Sequence, residues 1–289
     1  ERIAPQASMA QYTTLRIGGP AEVMVNIHSA DEIAVALRAA KQADAPVTII
    51  GNGSNLLVRD GGIRGLVLRI SGGLNAIRRE GDCLLVQAGA SLAAVAAFAR
   101  DEGLSGMAEL GGIPGTVGGG VLMNAGAYGA ELAQLVTQAE GVSLSDGRRV
   151  VYPADRLDFA YRHSALMDAG VVITQATLAL TPGDPEAIRA RMEECAKARR
   201  EKQPLTLPSA GSTFKRPEGH FAAKLIDDCG LRGLTVGGAQ VSEKHAGFIV
   251  NIGGATARDM LELMRQVEQR VFEQTGVQLE PEVRILGED

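Results

Sequence analysis

Two glycine-rich stretches carry the first chemistry legible in this sequence. Gly51-Asn52-Gly53-Ser54-Asn55 follows a short apolar run and leads into Leu56, and residues 111–129 contain eight glycines. A tight turn of this kind presents successive backbone N–H groups in a concave nest that favours phosphate oxygens. The side chains of Asn52, Ser54 and Asn55 add donors. The loop is not Gly-x-Gly-x-x-Gly, because Asn55 and Leu56 occupy the fifth and sixth places, and no Gly-Lys-[Ser/Thr] makes it a P-loop. Taken alone it reads more readily as a strand–strand turn than as a site. The second stretch holds more glycine than a connection needs, although each glycine costs backbone entropy on folding. Residues this small let backbone approach a flat or elongated ligand. Close packing of small residues between layers is the bland alternative. Two such stretches in one chain point to a dinucleotide, with its pyrophosphate across both.

The elements that must position these loops follow from periodicity and caps. Ser29 or Asp31 caps a helix running to about residue 42. The apolar runs 47–50 and 56–58 flank the first loop as buried strands, and 65–70 and 83–88 read as further strands. Ser91 caps an alanine-rich helix to about 102, closed by Gly103. Within the second stretch, 116–124 suits a short helix whose N-terminus faces a ligand. Residues 138–145 and 148–152 form a hairpin around Asp146-Gly147, and 171–180 alternates as a strand. Asp184 and Pro185 start a helix reaching about 202. Beyond it lie helices at 222–229 and 256–274, a strand at 248–251 and a last strand at 282–286. The reading is an α+β chain with an N-terminal ligand-binding part and a smaller C-terminal lobe.

Bulk composition narrows the function classes. The 289 residues are 45% hydrophobic and 22% charged, as in an ordinary globular protein, and long enough to bury a sizeable core. A net charge of −5 with scattered basic residues argues against nucleic acid. Cys83, Cys195 and Cys229 are odd in number and far apart, which suits a reducing compartment without disulfides, and no ligand spacing suggests a metal. No apolar run reaches membrane-spanning length and no signal pattern opens the chain, so the cytoplasm is the expected compartment. The absence of an initiator Met suggests a few residues before Glu1.

A family resemblance rests on motifs spread along nearly the whole chain. Thr13-Thr-Leu-Arg-Ile-Gly-Gly, Gly51-Asn-Gly-Ser-Asn-Leu-Leu, Gly112-Ile-Pro-Gly-Thr-Val-Gly-Gly and Asn124-Ala-Gly-Ala-Tyr-Gly come first. Tyr161-Arg-His-Ser, Ala210-Gly-Ser-Thr-Phe-Lys-Arg-Pro and Glu280-Pro-Glu-Val-Arg-Ile-Leu-Gly follow in order. Together they resemble the UDP-N-acetylenolpyruvoylglucosamine reductases, of the vanillyl-alcohol-oxidase-like class of FAD-binding folds. The resemblance implies a two-part FAD-binding domain, 1–70 and 71–195, and a C-terminal substrate domain, 196–289. It implies FAD without covalent attachment, NADPH as co-substrate, and reduction of an enolpyruvyl sugar nucleotide in peptidoglycan synthesis. The expected flavin residues are Gly51, Asn52, Gly53, Ser54, Asn55 and Leu56 in the first loop. Those in the second are Gly112, Ile113, Pro114, Gly115, Gly118, Gly119, Asn124, Gly126, Ala127 and Tyr128. The expected partners are small molecules only, with a monomer favoured.

The same resemblance assigns three catalytic residues. Hydride delivery to a vinyl carbon leaves charge spreading into the neighbouring carboxylate, which must be stabilised, and an α-carbon that must be protonated. Arg162 would grip the carboxylate, Ser212 would donate the proton, and Glu282, on the last strand, would support the enol. Glu280, two residues away on the same strand face, is its rival. Tyr161, Lys202, Lys215, Arg216, Lys244 and His245 are candidates for the substrate's diphosphate and uridine, although His245 equally suits a cap on the following strand. About fifty residues separate Arg162 from Ser212, mostly one strand and one helix, which leaves no lid and matches the family's shorter, second type. Two other readings stand beside this one. An FAD-dependent oxidase of small alcohols explains the loops but not the three motifs; a non-catalytic nucleotide-binding module predicts a colourless protein.

Overall fold

Short buried runs become strands and capped amphipathic runs become helices throughout the computed structural model, which describes residues 2–289. The chain divides into two compact units of interleaved sequence. One takes the chain up to Ala4, then Val23–Asn52 and Gly65–Ala198; the other takes Pro5–Glu22, Gly53–Arg64 and Arg199–Asp289.

In the first unit, a five-stranded antiparallel sheet runs in the order Arg149–Pro153, Val136–Ser143, Val171–Ala179, Cys83–Gln87, Ile77–Glu80. Its inward residues Leu84, Val86, Ala176 and Leu178 share one core with Leu92, Val95 and Ala99 of the helix Leu92–Asp101. Ser91 caps that helix by accepting from the Ala94 amide. A second sheet, to which this unit contributes 3–4, 23–26, 65–69 and 47–50, has the order Ile3–Ser8, Pro20–Asn26, Ile63–Arg69, Val47–Ile50, the last two parallel with Val47 opposite Leu66. The helix Ala30–Gln42, capped by Ser29, buries Ile33, Leu37 and Ala40 at four- and three-residue steps, which keeps them on one face.

The second unit holds the antiparallel strands Thr235–Val236, Ala239–Val241 and Ile249–Asn251, with the helices Ala222–Asp228 and Ala257–Thr275. The longer helix starts on a capping box of Thr256 and Asp259 and ends on Gly276 at φ +73°. Met260, Leu263, Met264, Val267 and Val271 form its buried stripe. Truncating one such leucine to alanine costs about 2–5 kcal/mol. Leu56–Val58 pairs in parallel with Arg284–Leu286, Leu56 opposite Arg284.

Two expectations need correction. The last strand starts at Arg284, so Glu282 is not on it but in the extended segment just before it. The expected strand 65–70 spans Ile63–Arg69. No helix among the described residues is long and apolar enough to cross a membrane.

Candidate active site

The first loop leaves the buried strand Val47–Ile50 at Gly51. A side chain at Gly51 would put its Cβ 2.6 Å from Thr116 Oγ1, and one at Gly53 would lie 2.0 Å from the Tyr12 carbonyl oxygen. Gly53 also takes φ +64°, so only glycine fits there. None of the Asn52, Gly53 and Ser54 amides donates to another described residue. The loop therefore has the unspent N–H groups that a phosphate requires. Its side chains are placed otherwise than expected. Asn52 donates to the Pro114 carbonyl at 2.9 Å, tying the first glycine-rich stretch to the second. Asn55 donates to the Glu282 carbonyl at 3.1 Å, while its own carbonyl accepts from the Arg284 amide at 3.0 Å.

The second stretch contains the helix Val117–Leu122. Its first amides do not face a ligand. Val117 and Gly118 donate to the Ala90 and Ala88 carbonyls, both at 2.9 Å, and Gly119 donates to Thr116 Oγ1. The glycines lie where neighbouring atoms come close: a Cβ at Gly118 would be 2.9 Å from that of Ala88, and one at Gly120 2.8 Å from Leu132. Within the helix Gly119 is the exception, meeting only Thr116 Oγ1 at 3.6 Å. It opens on a pocket of about 90 Å³ lined by Ile50, Gly51, Ala88, Thr116, Gly118 and Gly119, among others. A slot walled by glycine backbone and apolar side chains such as Ile50, Ile70 and Leu122, beside a loop of unspent amides, suits a flat ring carrying a pyrophosphate. Ile113 packs against the core, Gly115 accepts from the Leu92 amide at 3.0 Å, and Gly126 and Ala127 pair with Glu131 and Ala130. Tyr128 donates to the Cys195 carbonyl at 3.3 Å, and Asn124 is buried with both ends of its amide engaged in the chain. Thr116, which caps the helix and walls the pocket, was overlooked in the sequence, although a lone threonine inside a glycine run is an N-cap signal.

Arg162 stands at the tip of a turn closed by mutual hydrogen bonds between Ala160 and His163, at φ +54°. Its Nη2 donates to the Gly126 carbonyl at 3.4 Å, and its guanidinium stacks over Tyr161 at 4.9 Å. Glycine or asparagine takes such a conformation easily and arginine does not. The strand Val171–Ala179 and the helix Pro185–Lys202 follow before Ser212, as the spacing suggested.

In the second unit the segment following Ser212 pairs with the segment of Glu282. The Thr213 carbonyl accepts from the Glu282 amide at 2.8 Å, and Phe214 bridges Pro281 in antiparallel fashion. Ser212 is exposed, next to Gly211 at φ +78°, whereas Thr213 is buried and its hydroxyl accepts from the Ile249 amide at 3.0 Å. Glu280, the rival, is ion-paired to Lys215 at 3.3 Å. Because 280–282 is not a regular strand, the face-sharing argument for it lapses.

Arg216, Lys244 and His245 have partners within the chain. Arg216 stacks on Phe221 at 4.4 Å, and Lys244 donates to the Arg200 carbonyl at 2.5 Å, on the last turn of the helix Pro185–Lys202, where Lys202 is exposed. His245 Nδ1 accepts from the Gly247 amide at 3.2 Å and its ring meets Phe248 edge-on, the turn-capping geometry. Burial holds its imidazole below the ordinary value, with Arg232 adding to the effect.

Comparison with known proteins identifies a family. A family model described as an FAD binding domain matches residues 21–152, and one described as UDP-N-acetylenolpyruvoylglucosamine reductase, C-terminal domain, matches 203–286. The UDP-N-acetylenolpyruvoylglucosamine reductase of Pediococcus pentosaceus is 48% identical over 97% of this chain and 93% of its own length. That of Agathobacter rectalis is 49% identical over 97% and 92%. The crystal structure of UDP-N-acetylenolpyruvylglucosamine reductase from Thermus caldophilus superposes with a TM-score of 0.84 at 39% identity, covering 97% of both chains.

Proposed function

The chain belongs to the UDP-N-acetylenolpyruvoylglucosamine reductase family, and on that premise we propose that Arg162, Ser212 and Glu282 carry its chemistry. The enzyme reduces the enolpyruvyl group of UDP-N-acetylglucosamine enolpyruvate with NADPH, giving UDP-N-acetylmuramate for peptidoglycan synthesis. FAD, when bound, supplies the relay that passes a hydride equivalent from NADPH to the vinyl carbon. The nest at Gly51, Asn52, Gly53 and Ser54 holds its pyrophosphate, and the slot beside Gly118 and Gly119 takes its ring system. Residues 1–70 and 71–195 serve the cofactor; 196–289 serve the substrate.

Arg162 grips the substrate carboxylate through paired N–H groups. Charge on that carboxylate grows as hydride arrives, so the contact is stronger in the transition state than before it. Ser212 Oγ gives its proton to the α-carbon, and Glu282 supports the enol from the adjacent strand approach. Hydride and proton add across one C=C bond, and NADPH leaves as NADP⁺. Tyr161, Lys202, Lys215, Arg216, Lys244 and His245 attend the sugar nucleotide. The enzyme works in the cytoplasm as a monomer.

The hydrogen bond between the Thr213 carbonyl and the Glu282 amide supports this reading most, because it brings the backbone that follows Ser212 against Glu282. The test is anaerobic. NADPH bleaches the yellow protein, and the enolpyruvyl sugar nucleotide restores the colour. Ser212→Ala is expected to bleach normally and to recolour about 1,000-fold more slowly, given the usual contribution of a positioned acid. A wild-type flavin that the substrate fails to reoxidise would sink the assignment.

A further inference from the structure

The feature the catalytic reading leaves unexplained is Asn124. Its motif suggests a cofactor contact, yet the residue is 1% exposed and both ends of its amide are occupied. Oδ1 accepts from the Ala133 amide at 2.9 Å, and Nδ2 donates to the Ala160 carbonyl at 3.1 Å. Ala160 is the first residue of the four-residue turn that has Tyr161 and Arg162 at its tip. At the other end of that turn, Ser164, fully buried, donates its hydroxyl to the Leu122 carbonyl at 2.8 Å. Two side-chain bonds therefore fasten the two ends of the Arg162 turn to the last residues of the helix Val117–Leu122 and the segment after it.

We infer that Asn124 is a positioning residue for Arg162 and not a cofactor ligand. The physical reason lies in the turn itself. Arg162 holds φ +54°, a conformation an arginine leaves unless its surroundings over-determine it. Ala160 and His163 close the turn with two backbone bonds, but these travel with it and do not anchor it to the rest of the unit. The Asn124 amide supplies an anchor and bridges the turn to Ala133 as well. Buried amides satisfied at both ends are rigid, because leaving either atom unpaired is costly. Asn124 itself sits at φ +44°, which asparagine tolerates better than other side-chain-bearing residues.

This inference rests on the role proposed for Arg162, and the experiment separates the two. Asn124→Asp keeps the acceptor for Ala133 and removes the donor to Ala160. It is expected to bind FAD with an unchanged spectrum and to be reduced by NADPH at the wild-type rate. Reoxidation by the enolpyruvyl sugar nucleotide is expected to slow about 100-fold, the size of loss a misplaced catalytic group produces. Arg162→Lys should show the same selective defect, and the double variant should be no slower than the worse single one, because both act through one group. Ser164→Ala, which removes the other fastening bond, should show the same selective defect at about 10-fold, and it decides the matter if Asn124→Asp does not fold. A shifted flavin spectrum, a slowed NADPH step, losses that multiply in the double variant, or full activity of both Asn124→Asp and Ser164→Ala would each overturn the inference. Failure of the wild-type protein to recolour would instead count against the assigned reaction.

Discussion

In residues 111–129, a methyl group added at Gly111, Gly118 or Gly120 would strike Ala96, Ala88 or Leu132 at under 3 Å, and the helix amides at 117–119 are all spent within the chain. In residues 51–54, the neighbouring atoms are again close, but the amides of Asn52, Gly53 and Ser54 donate to no other described residue. Both stretches look alike as sequence. The difference between them is in their donors: the longer stretch uses glycine mostly to bring backbone and side chains together, and the shorter uses it to turn amides outward. Glycine density therefore reports close approach, and only the hydrogen-bond account says whether a ligand is being offered anything.

The comparison breaks most sharply at Gly53. Gly53→Ala places a Cβ 2.0 Å from the Tyr12 carbonyl at a positive φ, so the loop must open. Flavin content of the purified variant is the measurement, with a fall in FAD affinity of about 100-fold or more expected from the lost charge-assisted contacts. An alanine variant that stays fully yellow would remove the first loop from the cofactor site. Gly120→Ala, outside the slot, tests the other arm. Overpacking against Leu132, 2.8 Å from the added Cβ, should cost about 1–3 kcal/mol in denaturant unfolding while FAD affinity at low temperature changes by less than about threefold. A large affinity loss with unchanged stability would show that the longer stretch, too, is built for the ligand.

The smallest effect serves as a control outside both stretches. His245 has its folded-state value depressed below 6.5 by burial, so the unfolded chain binds the proton more readily. Stability is then fully present above pH 6.5 and declines as the pH falls from there toward the depressed value. His245→Asn, which retains an acceptor for the Gly247 amide, should flatten that acid limb by about 2 °C or less in Tm between pH 6.5 and 5. Equal acid limbs in the two proteins would show that the histidine does not titrate with folding.

Where structure is local, the sequence was legible. The strands Val47–Ile50 and Leu56–Val58 and the helix Pro185–Lys202 coincide with their expected bounds, and Ser29 and Ser91 cap the helices they precede. The strands Ile3–Ser8 and Ile77–Glu80 escaped notice because they lie at sheet edges, where little is buried and alternation is weak. The motifs single out Arg162, Ser212 and Glu282 as the proposed site residues, but not what holds them. That Asn55 grips the Glu282 carbonyl, or Asn124 the Ala160 carbonyl, depends on residues far apart in sequence. An asparagine in a glycine-rich motif offers the same amide to a ligand or to a distant backbone, and composition does not distinguish them.

The parallel pairing of Leu56–Val58 with Arg284–Leu286 has a consequence for synthesis. A ribosome makes the first of these strands long before the second, because the two are far apart in sequence. Until then the strand leaving the cofactor loop has an open edge in the emerging polypeptide, and the unit containing Ser212 and Glu282 lacks part of its sheet. The first unit, with most of its strands drawn from Val23–Ala198, can close earlier. Assembly is thus expected to be ordered in time, with the sheet beside the loop 51–54 completed only once Arg284–Leu286 has been made and paired.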